Sequence, residues 1–278
     1  MNKIYVGVVT YNPNLNRLQE NLDSICGQVQ NIIVCDNGSD NIAEIESLSC
    51  GYSNVEMIKL GKNLGIAAAL NRLMEWGERQ NQDWMLSLDQ DSVCDLDYVN
   101  RMIPYLTVEK KLGIVAPVIV DRNVGIVGHN PKNDYESVNT CITSGSFSRI
   151  DVWKNIGGYD EKLFIDSVDF EYCYRVRENG YLVIQVRDVK LLHEIGNSRM
   201  RNFLFFKVRV KEHSAFRKYY IARNNIYYPL KHKLWLHFMR AHLRNLWMII
   251  VILLYEKDKK EKIKAVLNGW HDAYSLNL

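Results

Sequence analysis

Apolar positions in the first 120 residues fall into two alternating patterns. Short β-rich runs at Ile4 to Thr10, Asn31 to Cys35, Val55 to Leu60, Trp84 to Leu88 and Gly113 to Val120 read as strands. Between them, Leu15, Leu18, Leu22 and Ile25 recur at helical spacing, and the alanine-rich stretch from Ile66 to Glu78 reads as another helix. Asn12-Pro13-Asn14, Asp36-Asn37-Gly38-Ser39 and Gly61-Lys62-Asn63-Leu64-Gly65 punctuate the runs with turn chemistry. Strands alternating with helices predict βαβ units, a largely parallel sheet and right-handed crossovers.

After Val120 the alternation weakens. Asp121 to Thr140, with Gly, Asn and Pro and little periodicity, is expected to be a long loop or insertion, a common place for substrate contacts. Thr143-Ser144-Gly145-Ser146-Phe147 and Gly157-Gly158-Tyr159-Asp160 are turn-rich and flank a short helix beginning near Asp151. A helix is predicted from Phe164 to Asn179, stopped by Gly180, and a strand from Tyr181 to Val186. From about Arg199 the chain becomes basic and aromatic, with spacing compatible with helices. Leu246 to Tyr255 is wholly apolar, but a span needs roughly 20 such residues, so this run predicts a buried or interfacial helix.

At 278 residues and 47% hydrophobic content, the chain can bury the core of one large domain, or of one and a half. The net charge of +3 hides an asymmetry: Arg199 to Arg244 holds twelve Lys/Arg and one acidic residue, Glu212. Such a segment can neutralise nucleic-acid phosphate or cover anionic lipid. Basic amphipathic helices favour lipid, with Trp235, Phe238, Leu243, Trp247 and the following apolar run dipping into the interface, so nucleic acid is not the expected partner. The six cysteines are widely and irregularly spaced, which predicts reduced, mostly buried thiols rather than a zinc site or disulfide framework. Met-Asn-Lys runs straight into a strand, so no export signal is expected.

The candidate chemistry centres on Leu86-Ser87-Leu88-Asp89-Gln90-Asp91-Ser92. Two aspartates two residues apart on an extended chain point the same way and can face one hard cation, Mg2+ or Mn2+, completed by water and substrate phosphate. The same residues also suit a capped turn. Thr10-Tyr11-Asn12, Asp36-Asn37 and Asn63-Leu64-Gly65 follow the other strands, and in a parallel sheet all four clusters gather at one edge, where a nucleotide can bind. Polar turns also follow strands in proteins with no ligand. Neither a P-loop nor a Gly-x-Gly-x-x-Gly turn follows the first strand, which argues against a glycine-rich diphosphate cradle.

Val9-Thr10-Tyr11-Asn12, Cys35-Asp36-Asn37-Gly38-Ser39, Asn63-Leu64-Gly65-Ile66-Ala67, Asp89-Gln90-Asp91-Ser92, Gly157-Gly158-Tyr159-Asp160 and Asp169-Phe170-Glu171-Tyr172-Cys173-Tyr174-Arg175 appear in an order that resembles family 2 glycosyltransferases of the GT-A fold. The chain is most similar to bacterial rhamnosyltransferases that use dTDP-L-rhamnose. The resemblance covers about residues 3 to 200 and implies an α/β fold with a Rossmann-like, mostly parallel central sheet flanked by helices. It implies a GT-A catalytic domain at 1–200, with a nucleotide-sugar-binding half at 1–120 and an acceptor and catalytic half at 121–200. A helical basic and aromatic extension, membrane-associating, would follow at 201–278. The implied activity is inverting and metal-dependent: transfer of a sugar, L-rhamnose, onto a hydroxyl of a lipid-linked cell-surface polysaccharide intermediate. The implied place is the cytoplasm, peripheral at the inner face of the cell membrane.

By position, the resemblance places Thr10, Tyr11 and Asp36 at the nucleoside, Asp36 through the base, Asn63 beside the nucleotide, Asp89 at the ribose and Asp91 on Mg2+ or Mn2+, with Gln90 among the nucleotide-sugar-binding residues. His193, in His193-Glu194-Ile195-Gly196, falls near the diphosphate as a metal or phosphate contact, although a lone histidine also reads as a structural residue. Asp169 matches the general base. Val168 stands where the family has an acidic residue, which leaves the role of Asp166 open. Carboxylates favoured by a helix N-terminus account for Asp166 and Asp169 equally. Other readings are a UDP-linked donor, nucleotidyl transfer (whose glycine-rich loop is lacking) and a non-catalytic membrane or RNA adaptor. The oligomeric state is open.

Overall fold

Strand β1 (Ile4–Thr10) is buried from Tyr5 to Thr10, as a strand covered by helices on both faces must be. The computed structural model describes residues 2–121, 125–192, 198–203 and 206–276. Helix α1 (Leu15–Ile25) is started by Asn14, whose side chain accepts from the Arg17 amide at 3.2 Å, and it buries Leu18, Leu22 and Ile25. Then come β2 (Ile32–Asp36), α2 (Ile42–Ser49), the edge strand β3 (Val55–Lys59), α3 (Ile66–Arg79) and β4 (Trp84–Asp89). The four strands lie in the order β3-β2-β1-β4, all parallel. Register sets Thr10 beside Asp36 and Val9 beside Asp89, so the loops after these strands leave from one edge.

The sheet continues through β5 (Val93–Cys94), α4 (Tyr98–Met102), β6 (Leu112–Asp121), β7 (Gly125–Val127), β8 (Tyr135–Ser137), β9 (Phe147–Arg149), α5 (Ile150–Asn155), α6 (Val168–Glu178) and β10 (Leu182–Leu192). β6 and β10 are parallel, and the short β9 joins β6 to β4 antiparallel to both. The fold is mixed α/β with a mostly parallel central sheet between helices, as expected. Two local expectations need correction. Part of the expected loop from 121 to 140 forms β7 on β6 and β8 on β10, because those strands extend beyond their neighbours and offer free edges. The last strand runs to Leu192 rather than stopping at Val186.

The chain divides into two units, Met1–Glu161 with Val168–Glu194, and Lys162–Ser167 with Ile195–Leu278. In the second, the expected helical periodicity from Arg199 is instead a hairpin of β11 (Ser198–Phe203) and β12 (Phe206–Lys211). Its Val208 and Val210 are buried, whereas Arg201 and Lys207 are exposed. Helices follow only from α7 (Ala215–Lys231), then α8 (Trp235–Tyr255) and α9 (Lys259–Asp272). Gly269 lets α9 lie directly on α7: a Cβ there would fall on the Tyr219 carbonyl. Glu256, fully buried, binds Lys218 at 2.5 Å and Lys262 at 3.1 Å, so two cations of the basic tail hold its own interior together.

The chain from Lys162 to Ser167 belongs to this helical unit. Phe164 stacks on Tyr220 at 4.8 Å, and Asn224 donates to the carbonyls of Ile165 and Asp166. Asp166 and Ser167 are left-handed (φ 63° and 65°), which α-helix excludes. Helix α6 therefore starts at Val168, four residues later than the periodicity predicts.

His213 is half-buried in this unit, and burial first, then Arg217, lowers its pKa to about 4 against the pull of Asp166. The folded pKa lies below the unfolded one, near 6.5. Below about pH 6.5 the unfolded chain takes a proton that the folded one refuses, so stability falls as pH drops towards 4. In urea titrations at pH 7 and pH 4.5, His213→Gln should lose less stability between the two than the unsubstituted protein; equal losses would refute the assignment.

Candidate active site

Four loops meet at the carboxyl edge of β1, β2, β3 and β4, the place where open α/β sheets bind ligands. The Gln90 side chain bridges two of them, accepting from the Tyr11 amide at 2.8 Å and donating to its carbonyl at 3.4 Å. Asn37 and Asn63 join the other two. Asn37 donates to Asn63 Oδ1 at 3.0 Å and accepts from the Leu64 amide at 2.8 Å, while Asn63 accepts from Gly65. Gly38 (φ 83°) permits this approach, since a Cβ there would strike the Lys62 backbone.

Thr10 and Asp36 lie beneath that surface. The Asp36 carboxylate, 1% exposed, accepts from Thr10 Oγ1, Ser39 Oγ and the amides of Gly38 and Ser39. Its role in this structure is to shape the β2 loop. Tyr11, 46% exposed, is what this part of the edge presents.

Asp89 and Asp91 are both half-buried on the loop after β4. Two residues that sequence reasoning missed hold that loop. Asn21 on α1, fully buried, donates to the carbonyls of Asp89 (3.0 Å) and Ser92 (2.6 Å). Ser144 accepts from the Asp89 amide at 3.1 Å and shares a hydrogen bond with Ser92 Oγ at 2.8 Å. A signal existed for Asn21: it is a polar residue on the apolar face of Leu18, Leu22 and Ile25. Ser144 sat in a turn noted only as punctuation.

The turn at 143–146 reaches both parts of the site. Ser87 Oγ donates to the Thr143 carbonyl at 2.6 Å, which docks the turn under β4. Its other side, Thr143 and Ser146, lines a small crevice with Cys141, Tyr172 and Asp169. Asp169, half-buried in the first turn of α6, and the Asp89–Ser92 loop thus stand on two sides of one turn.

The neighbouring carboxylates are otherwise engaged. Glu171 is fully buried in a bidentate pair with Arg175 at 2.8 Å, and Arg175 also grips the carbonyls of Ile156 and Gly158. Asp166 forms a bidentate pair with Arg217 at 2.9 and 3.0 Å inside the helical unit. All six cysteines are free thiols, and burial pushes Cys35 up to about 12.

Among the described residues no three His, Cys, Asp or Glu side chains converge on one point, so no full protein cage exists for a metal. The Asp91 carboxylate makes no hydrogen bond or ion pair among the described residues. One partnerless carboxylate with a second two residues away fits a hard cation that relies on substrate phosphate for its remaining ligands. His193 lies outside the described residues; Leu192 before it pairs with Val93, two residues past Asp91. A cavity of about 600 Å³ lies at the other end of the sheet beside Asp83, Trp84 and Arg149, where Lys154–Glu78 and Arg149–Asp151 neutralise each other.

Residues 5–161 match the family model described as "Glycosyl transferase family 2". The dTDP-rhamnosyl transferase RfbF of Shigella flexneri is 30% identical over 96% of this chain and 95% of its own length. An N-acetylglucosaminyl-diphospho-decaprenol L-rhamnosyltransferase of Mycobacterium tuberculosis is 21% identical over 71% of this chain and 78% of its own. Among solved structures, the mannosyltransferase PcManGT of Pyrobaculum calidifontis, in complex with GDP-Man and Mn2+, is 12% identical. It aligns with 99% of this chain and 76% of its own at a TM-score of 0.61, a likeness of fold.

Proposed function

Since the chain belongs to glycosyl transferase family 2, we propose that it transfers L-rhamnose from dTDP-L-rhamnose to a hydroxyl of a lipid-linked glycan intermediate at the inner face of the cell membrane. The observation that carries the donor is the similarity to the Shigella dTDP-rhamnosyl transferase along almost the whole of both chains. The decaprenol-linked acceptor named for the mycobacterial relative supports the acceptor class.

In this reading the loops bridged by Gln90 and Asn63 hold the nucleotide. Tyr11 faces it, Asp89 takes the ribose, and Thr10 and Asp36 shape the loop from beneath. Asp91, with His193, would hold Mg2+ or Mn2+, which when bound supplies positive charge to the departing diphosphate. Asp169 receives the proton of the acceptor hydroxyl as its oxygen bonds to the anomeric carbon. The bond from that carbon to the diphosphate oxygen breaks on the opposite face, so dTDP leaves and the configuration inverts.

A thermal-shift and hydrolysis panel tests this. dTDP-L-rhamnose with Mg2+ or Mn2+ should raise the melting temperature and slowly release dTDP, more than UDP-N-acetylglucosamine or GDP-mannose, and EDTA should cancel both effects. A stronger response to a UDP sugar would replace the donor; no response to any nucleotide sugar would favour a non-catalytic adaptor.

A further inference from the structure

Helix α8 carries an apolar stripe that no other described residue of its own unit covers. Leu236, Met239, Leu243, Leu246, Ile250 and Leu253 recur every three or four residues, and each is 40% to 66% exposed. They line one face of the helix for about 26 Å at 1.5 Å per residue. The opposite face is packed: Ala241, Asn245 and Ile252 are buried, with Asn245 donating to the Ala222 carbonyl on α7 at 3.0 Å. Towards its C-terminal end, Val251 and Trp247 pack on Val208, Val210 and Phe203 of the β11–β12 hairpin. The expected interfacial set is thereby corrected. Trp235 and Leu243 are exposed, but Phe238 turns to His242 and Tyr274, and Trp247 turns to Phe203.

The charge beside the stripe has one sign. From residue 213 to residue 255 there is no Asp or Glu. Of the basic residues in that span, Lys218 and Arg217 are paired internally and Arg223 is buried, whereas Lys233, Arg240 and Arg244 are exposed. On a helical wheel Arg240 and Arg244 flank one edge of the stripe. An apolar band edged by cations complements the acyl boundary and headgroups of an anionic lipid surface. A second copy of this chain would bring the same arginines to the seam, with no carboxylate on α8 to meet them.

We propose that α8 lies in the plane of an anionic membrane surface, with this stripe in the acyl boundary. The helix has 21 residues, long enough to cross a bilayer. Crossing would take α7, α9 and their Lys218–Glu256–Lys262 cluster into hydrocarbon along with it, since they cover its other face. The proposal deepens the reading of a membrane-linked acceptor and rests on it for its purpose, while its physics stands apart.

The test uses the full chain and vesicles of phosphatidylcholine with or without 30% phosphatidylglycerol. The protein should co-sediment with anionic vesicles at low salt and much less with neutral ones. Leu243→Glu with Leu246→Glu, both already exposed, should weaken partitioning at least tenfold, with circular dichroism and dTDP-L-rhamnose hydrolysis unchanged. Arg240→Glu with Arg244→Glu should remove the preference for anionic lipid. As a check independent of these variants, brominated lipid should quench fluorescence that is missing in Trp235→Phe. Unchanged binding by the leucine variant, or no binding by the unsubstituted protein, would overturn the proposal. So would resistance to alkaline carbonate extraction, which marks a spanning helix, or a dimer in sedimentation equilibrium that the leucine variant dissociates. Binding without any sugar-nucleotide hydrolysis would keep the docking surface and sink the transferase reading instead.

Discussion

Asp169→Asn is expected to lower the rate of transfer by roughly 10²- to 10⁴-fold, the scale of a general base, and to leave donor affinity nearly unchanged. The amide keeps the size of the side chain, and its oxygen can still accept from the Phe170 amide, as Asp169 Oδ1 does at 3.0 Å. It loses the capacity to take a proton. The fall should appear in kcat, with KM for the donor held. Its specificity is checked by Asp166→Asn. Asp166 is occupied by Arg217 in a bidentate pair, and its carbonyl accepts from Asn224, so its neutral variant should mainly lower the melting temperature. If Asp166→Asn proved the slower enzyme, the base would be the wrong carboxylate.

Asp91→Asn is expected to bring transfer close to background, a loss of about 10²- to 10³-fold, the scale of removing one charge-stabilising group. A neutral amide is a poor ligand for a hard cation, and no third carboxylate converges there among the described residues to replace it. The readout apart from turnover is calorimetry of dTDP. Binding to the unsubstituted protein should tighten with Mg2+ or Mn2+, and binding to the variant should ignore the cation. Asp89→Asn should weaken dTDP binding and retain the response to cation. Normal transfer by Asp91→Asn at saturating donor would remove the metal from this loop.

Most of the first 120 residues were legible without a structure. Periodicity located β1, α1, β2, β3, α3, β4 and β6 because each pattern reports which side of a single segment is buried, a property that neighbouring residues already encode. The end of each strand was legible too, and with it the loops that carry Tyr11, Asn63 and Asp91. The start of α6 was not. Phe164 to Ser167 are compatible with helix by composition, and only packing on Tyr220 and Asn224 imposes the left-handed residues that delay it. The hairpin at β11 and β12 was missed for a different reason: cations alternate with valines from Lys207 to Lys211, the period-2 pattern of a half-buried strand, and that local signal was read as part of a helical stretch.

The amino-acid sequence alone determined the family, the alternating α/β order and the position of Asp36 and Asp89 at the ends of β2 and β4, since these rest on local pattern and motif order. Tertiary structure decided which carboxylates remain available. Asp36 is enclosed by four donors, Glu171 and Asp166 are bound by arginines, and Asp91 has no partner among the described residues. It also decided what supports the site: Asn21 and Ser144 reach Ser92 across 71 and 52 residues of chain. Spacing along a sequence cannot report such partners, because a hydrogen bond over that separation exists only after the sheet has brought the two segments together.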